Sequence, residues 1–319
     1  MIYTEMYGRL GNQFFRYAAA RALQIKYYPE DELVFSFDQI NEAGKLDQSF
    51  YNVLDDFNVS KYSIYPKKGK VIFNESSIKQ KFYCIPYYLG MRKILPEQMN
   101  EQVEYEQRWR ERLEQNGIYW FRRGGWKLQR SSCQTKFVSG CFEDPIYFDD
   151  IRDILLSEFV PKHPLLEKNK KMIQAIRKTN SVCLSVRRGD FESNAEFKKL
   201  QSVCDRKYFE AAIEVIKKNI ENPVFFMFSD DIEWVKNNIH TGCETYYEDG
   251  TDPVWEKIRL MSACKHFIVS NSTFSWWTQY LSTNENKIVV SPSRWFNNDY
   301  LSPLIGKDWI KISGERTCA

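Results

Sequence analysis

The sequence predicts an α/β protein with a parallel sheet in its second half, and three observations carry that prediction. Four short apolar runs, SVCLSV (181–186), PVFFMFS (223–229), HFIVS (266–270) and KIVVS (287–291), have the length and composition of strands buried on both faces. Helix-like segments lie between them, and strand alternating with helix is the pattern of a parallel sheet. Three of the runs lead directly into charged or small hydrogen-bonding residues, at the sheet edge where open parallel sheets bind ligands.

In chain order, MIYTEMY reads as a first strand and FFRYAAARAL as a helix, which leaves GRLGNQ as the turn between them. From residue 24 to about 130 the sequence is irregular. A charged helix is expected near residues 97–115, with its charges on a solvated face. YWFRRGGWKLQR (119–130) mixes bases with aromatics and reads as a surface loop. PKHPLLEKNKKMIQAIRKTN (161–180) carries two prolines and a lysine cluster, so the expected boundary lies near 160, giving domains 1–160 and 161–319. In DRKYFEAAIEVIKKNI, Phe209, Ala212, Ile213, Ile216 and Ile220 share one helical face, and Asp205 is placed to cap its start. IEWVKNNI, PVWEKIRLMSAC and TFSWWTQYL complete the helices.

Composition excludes several classes. A chain of 319 residues suits two domains of about 150 each. The net charge is only +3, from 45 basic and 42 acidic residues, which argues against a nucleic-acid binder. The cysteines are scattered without a CxxC, so neither a zinc set nor a disulfide framework is expected, and a reducing compartment follows. The N-terminus lacks the pattern of a signal peptide, and no window approaches the roughly 18 apolar residues of a membrane span. The expectation is a cytoplasmic protein, and the sequons at Asn58, Asn74 and Asn271 then read as chance matches.

The strand ends hold the candidate site. Arg187-Arg188-Gly189-Asp190 follows the first run, Ser229-Asp230-Asp231 closes the second, and Ser270-Asn271-Ser272-Thr273 follows the third. Arginines suit phosphate, small residues opening a helix suit an anion, and an acid suits a base or ribose. Asp230 is read either as that acid or as the cap of IEWVKNNI. In the opening turn, Gly8 and Gly11 allow a tight bend and close backbone approach, with Asn12 and Gln13 adding amides ahead of a helix N-terminus. The bend serves either a ligand or the fold alone. It has neither the Rossmann glycine spacing nor that of a P-loop.

GRLGNQFFRYA resembles the GGLGNQMFQYA opening of the bacterial α-1,2-fucosyltransferases, glycosyltransferase family 11. The likeness continues through SGCFEDPIYF (139–148), similar to GYWQSEKYF, and LSVRRGDF (184–191), similar to H-x-R-R-G-D-Y. LMSACKHFIVSNSTFSWWTQYL is similar to LMSQCKHNIIANSSFSWWAAWL. The resemblance implies a GT-B fold, two Rossmann-like domains facing across a cleft, with an acceptor-side N-terminal domain and a GDP-sugar-binding C-terminal one. It implies an inverting, metal-independent transfer of fucose from GDP-fucose to the 2-hydroxyl of an acceptor, commonly a terminal β-galactoside. Lactose, N-acetyllactosamine or a lipid-linked surface-polysaccharide glycan are acceptors of that kind. The chain has no D-x-D triplet for a metal–diphosphate, and no cofactor beyond the donor is expected. A different GDP-sugar or linkage on the same scaffold is the alternative.

Residue by residue, the resemblance makes Arg187 the grip on the diphosphate, with Arg188 beside it and directed to the other side of the strand. Donor contacts are expected from Gly8, Gly11, Asn12, Gln13, Ser229, Asp230, Asn271, Ser272, Thr273 and Phe274, although Phe274 and the two tryptophans after it read more naturally as core or wall. Asp190 is the expected general base, with Glu143 and Asp144 as other carboxylates in matched segments. Two departures stand out: Ser185 replaces a histidine of the pattern, and Arg9 replaces a glycine. Arg9 either adds a cation near the pyrophosphate or projects to solvent.

Overall fold

Runs that are apolar at every position become central strands, because only a layer covered on both faces can bury them. The computed structural model describes residues 1–189 and 199–313. It divides into two compact units, Met1–Val160 and Pro161–Ala319. Each is an α/β unit on a parallel sheet, and two Rossmann-like units in one chain is the GT-B type of build.

In the second unit, α7 (Lys170–Lys178) precedes β6 (Asn180–Val186), then follow α8 (Arg206–Asn219), β7 (Pro223–Ser229), α9 (Ile232–Asn238) and β8 (Thr245–Tyr247). The unit closes with α10 (Val254–Ser262), β9 (His266–Ile268), α11 (Thr273–Leu281), β10 (Val289–Pro292) and β11 (Ile310–Ile312). The strand order is β11-β10-β9-β6-β7-β8, all parallel. That is the doubly wound order, with its switch point between β6 and β9. Alternate residues of β6 face two cores. Val182, Leu184 and Val186 pack with Phe209, Ala212, Ile213 and Ile216 of α8, while Cys183 packs with Ile173 and Ile176 of α7 and Leu260 of α10. Asp205 caps α8, its carboxylate accepting from the Tyr208 N–H at 2.8 Å. β8 and β11 are half-exposed edge strands, which is why their sequences lack the fully apolar signature.

In the first unit the strands are β1 (Ile2–Glu5), β2 (Leu33–Ser36), β3 (Ser63–Ile64), β4 (Ile118–Tyr119) and β5 (Lys136–Val138), in the parallel order β3-β2-β1-β5-β4. The helices are α1 (Leu10–Tyr27), α2 (Asp38–Gly44), α3 (Val71–Glu75), α4 (Ile78–Met91), α5 (Met99–Gln115) and α6 (Arg152–Glu158). Phe14 of α1 stacks on Phe159, and the Tyr17 hydroxyl donates to Glu158 at 2.6 Å, so the end of the unit folds back onto its first helix.

Helix α5 has the expected solvated charged face at Glu101, Glu104, Arg108, Glu111 and Arg112, but two of its acids turn inward. Glu106 and Glu114 are buried. Glu106 accepts the backbone N–H groups of Arg122, Arg123 and Gly124 at 2.6–3.0 Å, and Glu114 accepts from Gln129 N–H. The loop after β4 has no ladder of its own, and these two carboxylates take up its backbone donors.

Candidate functional site

At the switch point of the second unit the chain leaves β6 at Arg187. Asp230, just past β7, organises the segment from Arg187 to Gly189. One of its oxygens accepts the Arg188 N–H at 2.9 Å, and the other accepts the Gly189 N–H at 3.0 Å and meets Arg187 Nη1 at 2.7 Å. A Cβ on Gly189 would sit 2.7 Å from that second oxygen, so the clamp needs glycine there. Asp231 is the N-cap of α9, accepting from Trp234 N–H at 3.2 Å, and it also meets Arg188 Nε at 3.3 Å. Capping therefore falls to Asp231 and clamping to Asp230. Ser229 is buried, its hydroxyl oxygen accepting the Asp231 N–H at 2.9 Å.

Both arginines turn toward this acidic loop, contrary to the expected divergence. The strand ends at Val186, before the pair, and the two carboxylates attract the two side chains, Arg187 to Asp230 and Arg188 to Asp231. The Arg188 guanidinium lies 3.8 Å over the Trp234 ring. Arg187 and Arg188 line a cavity of about 120 Å³ together with Cys204, Arg206, Trp234 and Asn271. Binding sites for small molecules usually run to about 300 Å³ or more, so this space fits one charged part of a ligand, such as a phosphate group. Burial pushes the Cys204 thiol up to about 12. It is an inert wall.

Asn271 is buried, and its amide N–H groups donate to the carbonyls of Gln201 and Trp295 at 2.7 and 2.9 Å. Its Oδ1 is buried and has no hydrogen-bond partner among the described residues. Ser272 is the N-cap of α11 without using its hydroxyl as a cap, and Thr273 opens the helix half-buried. Phe274 instead packs against the apolar cluster under β9, and Trp276 and Trp277 are buried. These three are core, as their bulk and spacing suggest. Ser185 is also turned inward, its hydroxyl 2.6 Å from that of Ser275. Asp190 lies outside the described residues.

The opening turn belongs to the first unit. Gly8 has φ +72°, and a Cβ there would fall 2.5 Å from Asn12 Nδ2. Asn12, half-buried, thus lies under the bend, and Gly11 is inside α1. Gln13 is fully buried: its amide N–H groups donate to the Gly8 and Tyr51 carbonyls, and its Oε1 accepts from Val53 N–H. It is a strut that pins the bend rather than a group offered to a ligand. Arg9 lies at the surface, held by Asp47 at 2.9 Å and Ser49 at 2.8 Å.

The carboxyl edge of this sheet carries a charged cluster that sequence reasoning left unassembled. Arg16 donates to the Glu5 carbonyl at the end of β1. Glu143, five residues past β5, meets Arg123 at 3.6 Å. Burial raises the Glu143 carboxyl above its ordinary range, against the opposing pull of Arg123 and Arg16. Asp144 is raised by burial as well, while its side chain accepts from Ile146 N–H at 2.9 Å. No sequence signal joins Arg16 to Glu143, since β1 and β5 become neighbours only in the folded sheet. In the second unit the missed residues are Arg206 and Trp234, each next to or within a cap that was legible.

Among the described residues, Glu248, Asp249 and Asp252 group closely enough to suggest a cation site. Lys168 meets Asp252 at 2.8 Å and Lys257 meets Glu248 at 3.2 Å, so two lysines of the chain set positive charge against the cluster.

Comparison with known proteins shows the family. The model of glycosyl transferase family 11 matches residues 1–313. The O-antigen biosynthesis glycosyltransferase WbnK of Escherichia coli is 30% identical over 321 residues, covering 98% of this chain and 100% of that protein. An alpha-1,2-colitosyltransferase of Escherichia coli is 28% identical over 327 residues, covering 98% of this chain and 99% of that one. The human galactoside alpha-(1,2)-fucosyltransferase 1 is 29% identical over 155 residues, 46% of this chain and 42% of that protein.

Proposed function

This chain belongs to glycosyl transferase family 11, and we propose that it transfers L-fucose from GDP-β-L-fucose to the 2-hydroxyl of a terminal β-galactoside-type acceptor, with inversion and without a metal, on the cytoplasmic side of the cell. The observation that carries this reading is the arginine pair of LSVRRGD, fixed by Asp230 at the switch point of a doubly wound sheet beside a phosphate-sized cavity. That is where such sheets take nucleotides. The human α-1,2-fucosyltransferase among the relatives supports the donor sugar and linkage.

In the proposed reaction the acceptor oxygen attacks the anomeric carbon of fucose from the face opposite GDP. The bond from that carbon to the β-phosphate oxygen breaks, and its electron pair leaves with GDP. Arg187, with Arg188 and Arg206 nearby, meets the charge that develops on the diphosphate, and the N-terminus of α11 adds its dipole. The acceptor proton passes to a carboxylate, for which Asp190 and Glu143 are the two candidates. Glu143 has burial and a raised affinity for protons in its favour. The first unit takes the acceptor and the second the donor.

A second reading keeps the scaffold and changes the donor sugar, and the colitosyltransferase that matches nearly the whole chain favours it. Incubating the purified protein with GDP-fucose, lactose or N-acetyllactosamine, and EDTA, followed by NMR of the product, separates the two. An α-1,2-fucosylated product formed in EDTA establishes donor, linkage and metal independence together. GDP binding without product points to another sugar or acceptor, and absence of GDP binding overturns the nucleotide site.

A further inference from the structure

Helix α4 turns two unlike faces in opposite directions. Gln80, Cys84, Tyr87 and Met91 are buried, at the spacing of one helical face. Ile78, Phe82, Ile85 and Leu89 repeat that spacing on the opposite face and are 90, 74, 41 and 53% exposed. Single exposed apolar residues are ordinary, but a stripe running the length of a helix calls for a partner. The helix itself is firmly set. Ser77 and Gln80 form a capping box at its start, and the Tyr105 hydroxyl lies within hydrogen-bond distance of the Pro86 and Tyr87 carbonyls.

Charge decides what the partner is. Lys79 and Lys81 flank the stripe along the helix, and Arg92 and Lys93 follow at its end. No Asp or Glu occurs between Glu75 and Glu97. None of the four cations is in an ion pair among the described residues. Tyr83 lies edge-on to Phe82, with ring centroids 5.5 Å apart, and Arg92 lies 5.7 Å over the Tyr88 ring, so amphipathic rings also border the stripe. A second copy meeting this face about a twofold axis would set cations against cations. A surface of anionic headgroups over hydrocarbon complements it in both charge and polarity. No described helix is long and apolar enough to cross a membrane.

We propose that α4 docks this protein on an anionic lipid bilayer, with Ile78, Phe82, Ile85 and Leu89 entering the headgroup–acyl boundary and Lys79, Lys81, Arg92 and Lys93 meeting lipid phosphates. Docking of this kind brings the first unit to glycans carried on lipid. That purpose rests on the glycosyltransferase reading, whereas the docking rests on the surface of α4 alone and is tested without turnover.

The test is co-sedimentation of the full chain with vesicles of phosphatidylglycerol and phosphatidylethanolamine, and with vesicles of phosphatidylcholine alone. Wild type should pellet with the anionic vesicles, less so at high salt, and little with the neutral ones. Phe82→Ser with Leu89→Ser, and separately Lys79→Glu with Lys93→Glu, should each weaken that binding by roughly tenfold or more while leaving the melting temperature unchanged. No pelleting of wild type, or equal pelleting of wild type and both double variants, overturns the proposal. So does a wild-type dimer in gel filtration that Phe82→Ser with Leu89→Ser converts to monomer, because the stripe is then a protein contact. Turnover of a soluble acceptor by the same samples is read separately: its absence counts against the proposed reaction and leaves the vesicle result standing.

Discussion

Adjacent carboxylates can hold quite different positions, and Asp230 and Asp231 show how. Asp230 takes two backbone N–H groups and one guanidinium, whereas Asp231 caps a helix. Asp231→Ala is expected to lower stability by about 1 kcal/mol, the usual worth of a cap, measured by urea titration. Asp230→Ala releases the Arg187–Gly189 segment and should weaken GDP binding by roughly tenfold or more, as befits a lost charge-assisted clamp. Equal losses of GDP affinity in the two variants would remove the distinction. Glu143 gives a pH prediction. Its carboxyl is raised by burial, so as a base it must lose its proton at a pH above the ordinary carboxylate range. kcat/KM should therefore fall as the pH drops through that raised value, and Glu143→Gln should cost about 10²-fold or more. If Asp190→Asn carries the loss and Glu143→Gln does not, Asp190 is the base.

At the scale of the element, the opening turn and the loop after β4 are each held by side chains from a neighbouring helix. Gly8 adopts a left-handed conformation under which Asn12 is packed. Gly8→Ala should cost about 1–2 kcal/mol from the backbone alone, and more where Asn12 must move. A thermal melt unchanged by Gly8→Ala would show that the bend tolerates a side chain after all. Glu106 supplies the acceptors for three consecutive backbone N–H groups. Glu106→Ala strands those donors and should destabilise the protein by about 3 kcal/mol, with Glu106→Gln milder because one oxygen remains. Chemical denaturation of the pair reads this directly.

For the whole molecule, each unit carries its own parallel sheet, and in the second an apolar cluster covers either face. A chain with its own core folds by itself. Residues 161–319 expressed alone are expected to melt cooperatively and to bind GDP in a calorimetric titration. A fragment that stays unfolded would show that the second unit depends on the first for stability.

The central strands and their helices were legible in the sequence because β6, β7, β9 and β10 are buried on both faces, which leaves composition no freedom. The cap at Asp205 was legible because backbone geometry at a helix start dictates the residue type locally, and the arginine pair because it follows directly on an apolar strand. Edge strands such as β8 and β11 were not, since half-exposed positions accept polar residues. Only the tertiary structure decided which charged groups meet. Glu106 and Glu114 look like solvated helix charges until the loop after β4 comes down upon them, and Gln13 looks like a ligand until the chain at Tyr51 and Val53 surrounds it. A side chain's hydrogen-bond partners depend on chain crossings at long sequence separation, and spacing along the sequence does not encode them.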